Sequence, residues 1–201
     1  MKENTAHSSL LTPKPSLLFR LIRESKFKAA KTSIAAGLKV NVYDRTHETP
    51  LIAALCQGEA GRNMALYLIE LPNINLSMQS YQYGSALTLA IEIEDQACIQ
   101  AMLAKIKTFD HAEHPCALVC AVKNEDLATI KLLLSKGANP HTVDRVSMPE
   151  WFQHDEYDSD LSTHKREDAG QSAYEVAQKY DLNEIVTVFD AHLAKQASVT
   201  C

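Results

Sequence analysis

The sequence predicts an all-α solenoid of about five stacked helix-turn-helix units, with a long insertion in the last inter-unit loop. Three observations carry that prediction. The first is a single unit, His111 to Thr142. It holds a turn region, a short Ala- and Cys-rich helix over 116–122 and a polar break at Asn124-Glu125-Asp126. A second helix over 127–135 follows, closed by Lys136-Gly137-Ala138-Asn139-Pro140. Leu127, Ile130, Leu133 and Leu134 fall at helical spacing, a stripe that one helix pair cannot bury by itself. The second observation is repetition: Glu94–Leu103 aligns with Glu125–Leu134, Leu87 lies over Leu118, and Ala90 over Ala121. The third is composition. Apolar residues make up 46% of the chain but aromatics only 6%, which suits a core built from Ala and Leu helices.

Taken in order, residues 1–15 form a flexible polar segment. Pro13 and Pro15 delay the first helix to Ser16, an N-cap ahead of Leu17-Leu18-Phe19. The first unit, about 16–42, matches the fourth through Leu18, Phe27, Ala30, Ile34 and Gly37, and is a degenerate terminal unit. Its exposed faces carry Arg20, Arg23, Lys26, Lys28, Lys31 and Lys39 against Glu24. The second unit, about 43–76, opens with Thr49-Pro50-Leu51: the Thr49 hydroxyl caps the helix, and Pro50 sits where a missing N–H costs nothing. Gln57-Gly58-Glu59-Ala60-Gly61-Arg62 reads as an enlarged turn before a helix over 64–70 that ends at Leu71-Pro72.

The third unit, about 77–109, begins with a turn carrying Tyr81 and Tyr83 at its tip. Its first helix opens at Ser85-Ala86-Leu87-Thr88. The fourth spans about 110–142. The fifth, about 143–193, resumes at Gly170-Gln171-Ser172-Ala173-Tyr174, about 23 residues late on a period of roughly 33. The excess is an insertion at about 144–166, and 194–201 is a fraying tail.

A period near ~33 residues, Thr-Pro-Leu opening a first helix and Gly-Ala-Asn closing a second together resemble the ankyrin repeat, over about three quarters of the chain. That resemblance implies a left-twisting stack of helix pairs. It also implies a protein-binding surface made of finger tips and the exposed residues of first helices. Small proteins of this family serve as adaptors and inhibitors, and as effectors that intracellular bacteria inject into host cells. In the family, a His three residues after the capping Thr knits neighbouring units through hydrogen bonds. Ile52, Thr88, Val119 and Glu175 hold that place here, so the network is expected to be absent, with packing at Ile52 and Val119 in its stead.

Carried over by position, the surface comprises Arg45, Thr46, Glu48, Cys56 and Gln57 in the second unit, and Tyr81, Gln82, Glu92 and Ile93 in the third. The fourth contributes Ala112, Glu113, Lys123 and Asn124. Tyr81 and Tyr83 are candidate anchors, because tyrosine in an exposed turn offers contact area at low entropy cost. The alternative for Tyr83 is packing back on the stack. The insertion holds the only tryptophan, Trp151, with Phe152, followed by an acidic run around Tyr157. These aromatics either dock a basic or apolar partner groove or cover the open core of the last unit.

The remaining function classes are constrained by charge and motifs. A net charge of −5 exerts no global pull toward nucleic acid. The basic first unit is either the polar outer face of a terminal repeat or a charge-driven contact for nucleic acid or anionic membrane. No run approaches the ~18 apolar residues of a membrane span, and the N-terminus lacks a signal peptide's apolar run. A cytosolic protein is expected, or one delivered into a host cytosol. Five cysteines, an odd number, fit reduced thiols. His111, His114, Cys116 and Cys120 are zinc-ligand types at no standard spacing, and Asp155, Asp158 and Asp160 lack the glycine of a calcium loop. No phosphate loop, nucleophile elbow or convincing acid–base pair is present, although His154 and His164 fall among carboxylates. The expectation is a non-catalytic protein-binding module that needs no cofactor.

Overall fold

The computed structural model describes residues 15–143 and 170–199. Five helix pairs follow one another: α1 (Pro15–Arg23) with α2 (Phe27–Ala35), α3 (Pro50–Leu55) with α4 (Glu59–Glu70), and α5 (Ala86–Glu92) with α6 (Gln96–Lys105). The last two are α7 (Ala117–Lys123) with α8 (Leu127–Ser135), and α9 (Ala173–Lys179) with α10 (Asn183–Val199). Each pair reverses direction through one residue of positive φ: Ser25, Gly58, Glu94, Glu125 or Asp181, with φ between +52° and +58°. Four of these are not glycine, so the fold imposes the conformation at some cost. The next residue restarts the helix. Asp95 and Asp126 do so with their side chains, which accept the backbone N–H of Cys98 at 3.2 Å and of Thr129 at 3.0 Å.

The helices form two layers. First helices stack on first helices from α1 to α9, and α4, α6, α8 and α10 stack in the second layer. Ala54, Ala90, Ala121 and Ala177 occupy the same place in successive first helices and are fully buried, so neighbouring backbones approach closely. The core runs without a break from Leu18 and Ile22 through Met64, Leu87, Met102 and Leu118 to Phe189. It continues from the fourth repeat to the fifth, where α9 packs directly on α7 and the Tyr174 N–H donates to the Pro140 carbonyl at 2.9 Å.

The finger of the third repeat is a minimal hairpin, β1 (Gln79–Ser80) with β2 (Gly84–Ser85), antiparallel with Ser80 opposite Gly84. Side chains link fingers in series. Asn41 donates to the Asn73 carbonyl at 2.6 Å and accepts the Asn75 N–H at 2.9 Å, and Gln79 donates to the Ala112 carbonyl at 2.6 Å.

The second helices end in two ways. α2 and α8 close on Gly37 and Gly137, whose φ values of +97° and +99° only glycine adopts cheaply. α4 and α6 lack that glycine and leave in extended conformation at Leu71 and Ile106. Lys105 donates to the Leu71 carbonyl at 2.9 Å, and Lys136 donates to the Ile106 carbonyl at 2.7 Å. Each helix end is thus capped by a lysine of the following repeat.

Three sequence expectations are corrected. The first helix begins at Pro15, a residue earlier than Ser16, because proline suits the first helical position. The stretch 57–62 is not an enlarged turn. α4 starts at Glu59 and absorbs the extra residues as an additional helical turn, with Gly61 pressed against α3 so closely that a Cβ there would lie 2.0 Å from the Ala54 carbonyl oxygen.

Hydrogen bonding between repeats also survives without the histidine. Thr88 donates through Oγ1 to the Pro115 carbonyl at 2.8 Å, and its N–H donates to the capping Ser85 hydroxyl at 3.2 Å. Buried His114 of the next repeat meets Ser85 Oγ through Nδ1 at 3.1 Å. Ile52 and Val119 are buried apolar replacements, as expected.

Thr88→Val keeps the shape but leaves the Pro115 carbonyl without its donor, and urea unfolding should show a loss of about 1–3 kcal/mol. Gly61→Ala is expected to lower stability by about 3 kcal/mol in the same measurement, because the α3–α4 contact has no room for a methyl group.

Candidate functional site

The finger of the second repeat is organised by Asp44. Its Oδ1 accepts the N–H and the hydroxyl of Thr46 and the N–H of Glu48, each at 2.9 Å. Arg23, reaching across from α1, donates to both Asp44 and Glu48, the latter at 2.9 Å. Burial alone works to raise the Asp44 pKa. The Glu48 N–H, the Arg23 guanidinium and the Thr46 hydroxyl outweigh it and hold the carboxyl below its ordinary value.

His47 is held at φ +58°, a conformation uncommon for a residue with a side chain. Its ring is sandwiched between Tyr43 of its own finger and Tyr81 of the next, at 3.9 Å on each side. The stack joins two fingers and leaves Tyr43 39% exposed at one end.

Behind the fingers, the ends of α3 and α5 meet α4 at a pocket of about 270 Å³ lined by Leu55, Cys56, Arg62, Tyr83, Leu89 and Ile93, among others. Arg62 is fixed there by a 2.9 Å ion pair with buried Asp95. The Tyr83 side chain is hydrogen-bonded to Cys56. Loss of solvent on the inner side of Cys56, together with the Glu48 carboxylate, pushes its thiol up to about 11, and Tyr83 is likewise raised, chiefly by burial. Both remain protonated near neutrality, which removes Cys56 as a ready nucleophile. Glu92, at the end of α5, has its Oε2 buried with no hydrogen-bond partner.

The sequence-predicted residues divide accordingly. Arg45 and Glu113 are exposed, and Gln57, Tyr81, Gln82, Glu92 and Lys123 are half-buried. Thr46 and Glu48 spend their side chains on Asp44 and Arg23, and Asn124 donates to the Ile91 carbonyl at 2.6 Å, so these three stabilise the scaffold. Tyr83 packs back on the core, the second of its two expected placements. Trp151, Phe152 and Tyr157 lie outside the described residues.

Sequence reasoning missed Tyr43 and His47, whose pairing with Tyr81 depends on the fingers lying side by side. It also missed Arg62 and Asp95, whose spacing of 33 residues equals the repeat period and was the available signal.

The basic face of the first repeat is less bare than its sequence implied. Arg23 is shared by two carboxylates, Lys26 pairs with Glu24 at 2.7 Å, and Lys31 lies 4.7 Å from the Tyr67 ring centroid. The two histidines of the fourth repeat have different hydrogen-bond partners. His111 Nε2 accepts the Asn139 N–H at 2.9 Å, whereas His114 is buried against Ser85, and burial lowers its pKa so that it stays neutral. Among the described residues, no three His, Cys, Asp or Glu side chains are grouped to hold a metal ion. No helix among them is long and apolar enough to cross a membrane.

A scan against protein-family models found no match, and a search of curated proteins found none. Solved structures do match. The chain is similar to the ankyrin repeat domain of Bcl-3, a unique member of the IkappaB protein family, with a TM-score of 0.59 and 20% identity over 87% of this chain and 70% of that one. It is also similar to the human ASB11 ankyrin repeat domain, with a TM-score of 0.50 and 19% identity over 87% and 82% of the two chains. The fold is an all-α ankyrin-repeat solenoid, as the sequence resemblance implied.

Because the folded Asp44 pKa lies below the ordinary 3.8, its contribution to stability is fully present above that value and is lost as pH falls through the lower folded value. Asp44→Asn should therefore be less stable than the parent at neutral pH. Urea unfolding measured across an acid series is expected to show the difference narrowing below pH 3.8.

Proposed function

We propose that this chain is a non-catalytic protein-binding module that recognises its partner through the finger tips and first helices of its second to fourth repeats. The observation that carries the reading is the Tyr43–His47–Tyr81 stack: an aromatic surface bridging two fingers, held in place before any partner arrives. Aromatic anchors on a preordered surface bind well because little side-chain entropy remains to be lost. Arg45, Gln57, Gln82, Glu92, Glu113 and Lys123 frame it as a polar rim. The insertion, with Trp151, Phe152 and Tyr157, belongs to the same proposed surface. The ankyrin-repeat fold supports this reading, since the family's surfaces serve protein recognition. A role as an adaptor or effector, in the cytosol of the producing cell or of a host, belongs to the same proposal.

The charge-driven alternative through the first repeat is weakened by the pairing of Arg23 and Lys26, because phosphate backbones are held by several uncommitted cations acting together.

The test is affinity capture from a whole-cell extract with three baits: the parent chain, Tyr81→Ala, and a chain with residues 145–166 replaced by a short Gly-Ser linker. A partner held by the parent should be retained at least about tenfold less by Tyr81→Ala, with the thermal midpoint of the bait little changed. Full retention by both variants would sink the proposed surface. Capture that collapses at moderate salt and depends on Arg20 and Lys28 would favour the charge-driven reading instead.

A further inference from the structure

Where the third repeat meets the fourth, a buried histidine ends a chain of hydrogen bonds in which every proton can be assigned. The Thr88 hydroxyl has one hydrogen and gives it to the Pro115 carbonyl at 2.8 Å. The 3.1 Å contact between the Ser85 and Thr88 hydroxyls must therefore use the hydrogen of Ser85. With that hydrogen spent, Ser85 Oγ accepts the Thr88 N–H at 3.2 Å and meets His114 Nδ1 at 3.1 Å, so Nδ1 carries the ring proton and donates it. Nε2 is left as the bare nitrogen. It has no hydrogen-bond partner among the described residues, and His114 is 1% exposed.

A second proton can go only to Nε2, where it makes a cation in a site fitted to a neutral ring. Ser85 and Thr88 of the third repeat are fully buried and offer hydroxyls rather than charge, and the Phe109 ring lies 5.8 Å away. The carboxylates that bear on the ring, Glu113 and Asp110, belong to its own loop. Both favour protonation, but burial outweighs them. The other titratable groups nearby are Tyr83, which turns to Cys56, His111, which accepts from Asn139, and Cys116, at the start of α7. Because the folded value lies below the ordinary 6.5, the stability this contact gives is fully present above 6.5. It is lost as pH falls through the lower folded value.

The same loop steadies the third finger. Gln79 of β1 donates to the Ala112 and Glu113 carbonyls at 2.6 and 3.3 Å, and Ser85 is the last residue of β2. Tyr81 lies in the turn between these two strands.

We propose that His114 is an acid-sensitive latch between the third and fourth repeats: a proton on Nε2 opens the seam at Ser85 and loosens the finger that carries Tyr81. Weaker partner binding in acid is the consequence, and that step alone rests on the protein-binding reading.

The experiment is nuclear magnetic resonance of the isotope-labelled full-length chain from about pH 7 to about pH 5, on the parent and on His114→Asn, whose amide can donate to Ser85 Oγ without titrating. Long-range nitrogen–proton correlations read the ring tautomer. Amide exchange at Thr88 reads the seam, and at Tyr83, whose N–H donates to Ser80 Oγ at 2.9 Å, it reads the finger. The expected result is the Nδ1–H tautomer at neutral pH. Protection of both amides, corrected for the intrinsic rate, should fall about fivefold or more in the parent and not in His114→Asn.

An Nε2–H tautomer, unchanged protection in the parent, or an equal loss in His114→Asn overturns the inference. If His114→Asn does not fold, the parent decides: the midpoint of the His114 ring titration must coincide with the loss of protection, and a mismatch overturns the latch. None of these readouts needs a partner. If they come out as expected while Tyr81→Ala still captures the partner in full, the latch stands and only its bearing on binding falls.

Discussion

No helix pair in this chain can bury its own apolar face, and the whole structure follows from that constraint. A short helix pair leaves apolar surface that only a neighbouring pair covers, so stability comes from stacking. The fully buried alanines at corresponding places in four first helices make close stacking possible. The polar links then fix its spacing. Asn41 reaches Asn73 and Asn75, Arg62 reaches Asp95, Asn124 reaches Ile91, and each spans about one repeat. Distortion of one interface is therefore felt first by its immediate neighbours.

The candidate surface is a product of the same stacking. Tyr43 and Tyr81 lie on different repeats and would be isolated aromatics on separate loops. With their fingers side by side, they close on the His47 ring and become one rigid face. The pocket behind them arises where α4 has gained an extra turn, so that Arg62 approaches Asp95 of the next repeat and Cys56 comes under Tyr83. A local departure from the repeat thus makes the site, while the regular rows hold it in position.

The fold was legible in the sequence because burial acts on side chains at fixed spacing. Leu18, Leu87 and Leu118 align by counting, and they are core residues in the structure. The left-handed ending at Gly137 was legible for the same reason, since one residue type satisfies one backbone requirement. Less was legible where a residue's role is set by a neighbour about a repeat away. Thr88 looked like a lost hydrogen bond, and only the approach of the Pro115 carbonyl shows that a hydroxyl replaces the histidine. Gly58 and Gly61 looked like a loop by composition. Gly61 is in fact helical, and it is glycine because α3 lies too close for any Cβ. Thr46 and Glu48 looked like free finger-tip polar groups until Asp44 and Arg23 were seen to engage them.

The two lysine caps give the chain a direction. α2 and α8 finish themselves with glycines inside their own repeats, but the carbonyls ending α4 and α6 wait for Lys105 and Lys136, which are made later. As the polypeptide emerges from the ribosome, the Leu71 carbonyl has at first only the Ile74 N–H of its own repeat, at 3.3 Å, and the Ile106 carbonyl gains its lysine once the fourth repeat has been translated. Its middle is consequently not interchangeable cassette by cassette. A third repeat excised from this position, or a chain interrupted after it, would leave the Ile106 carbonyl without the lysine that caps it.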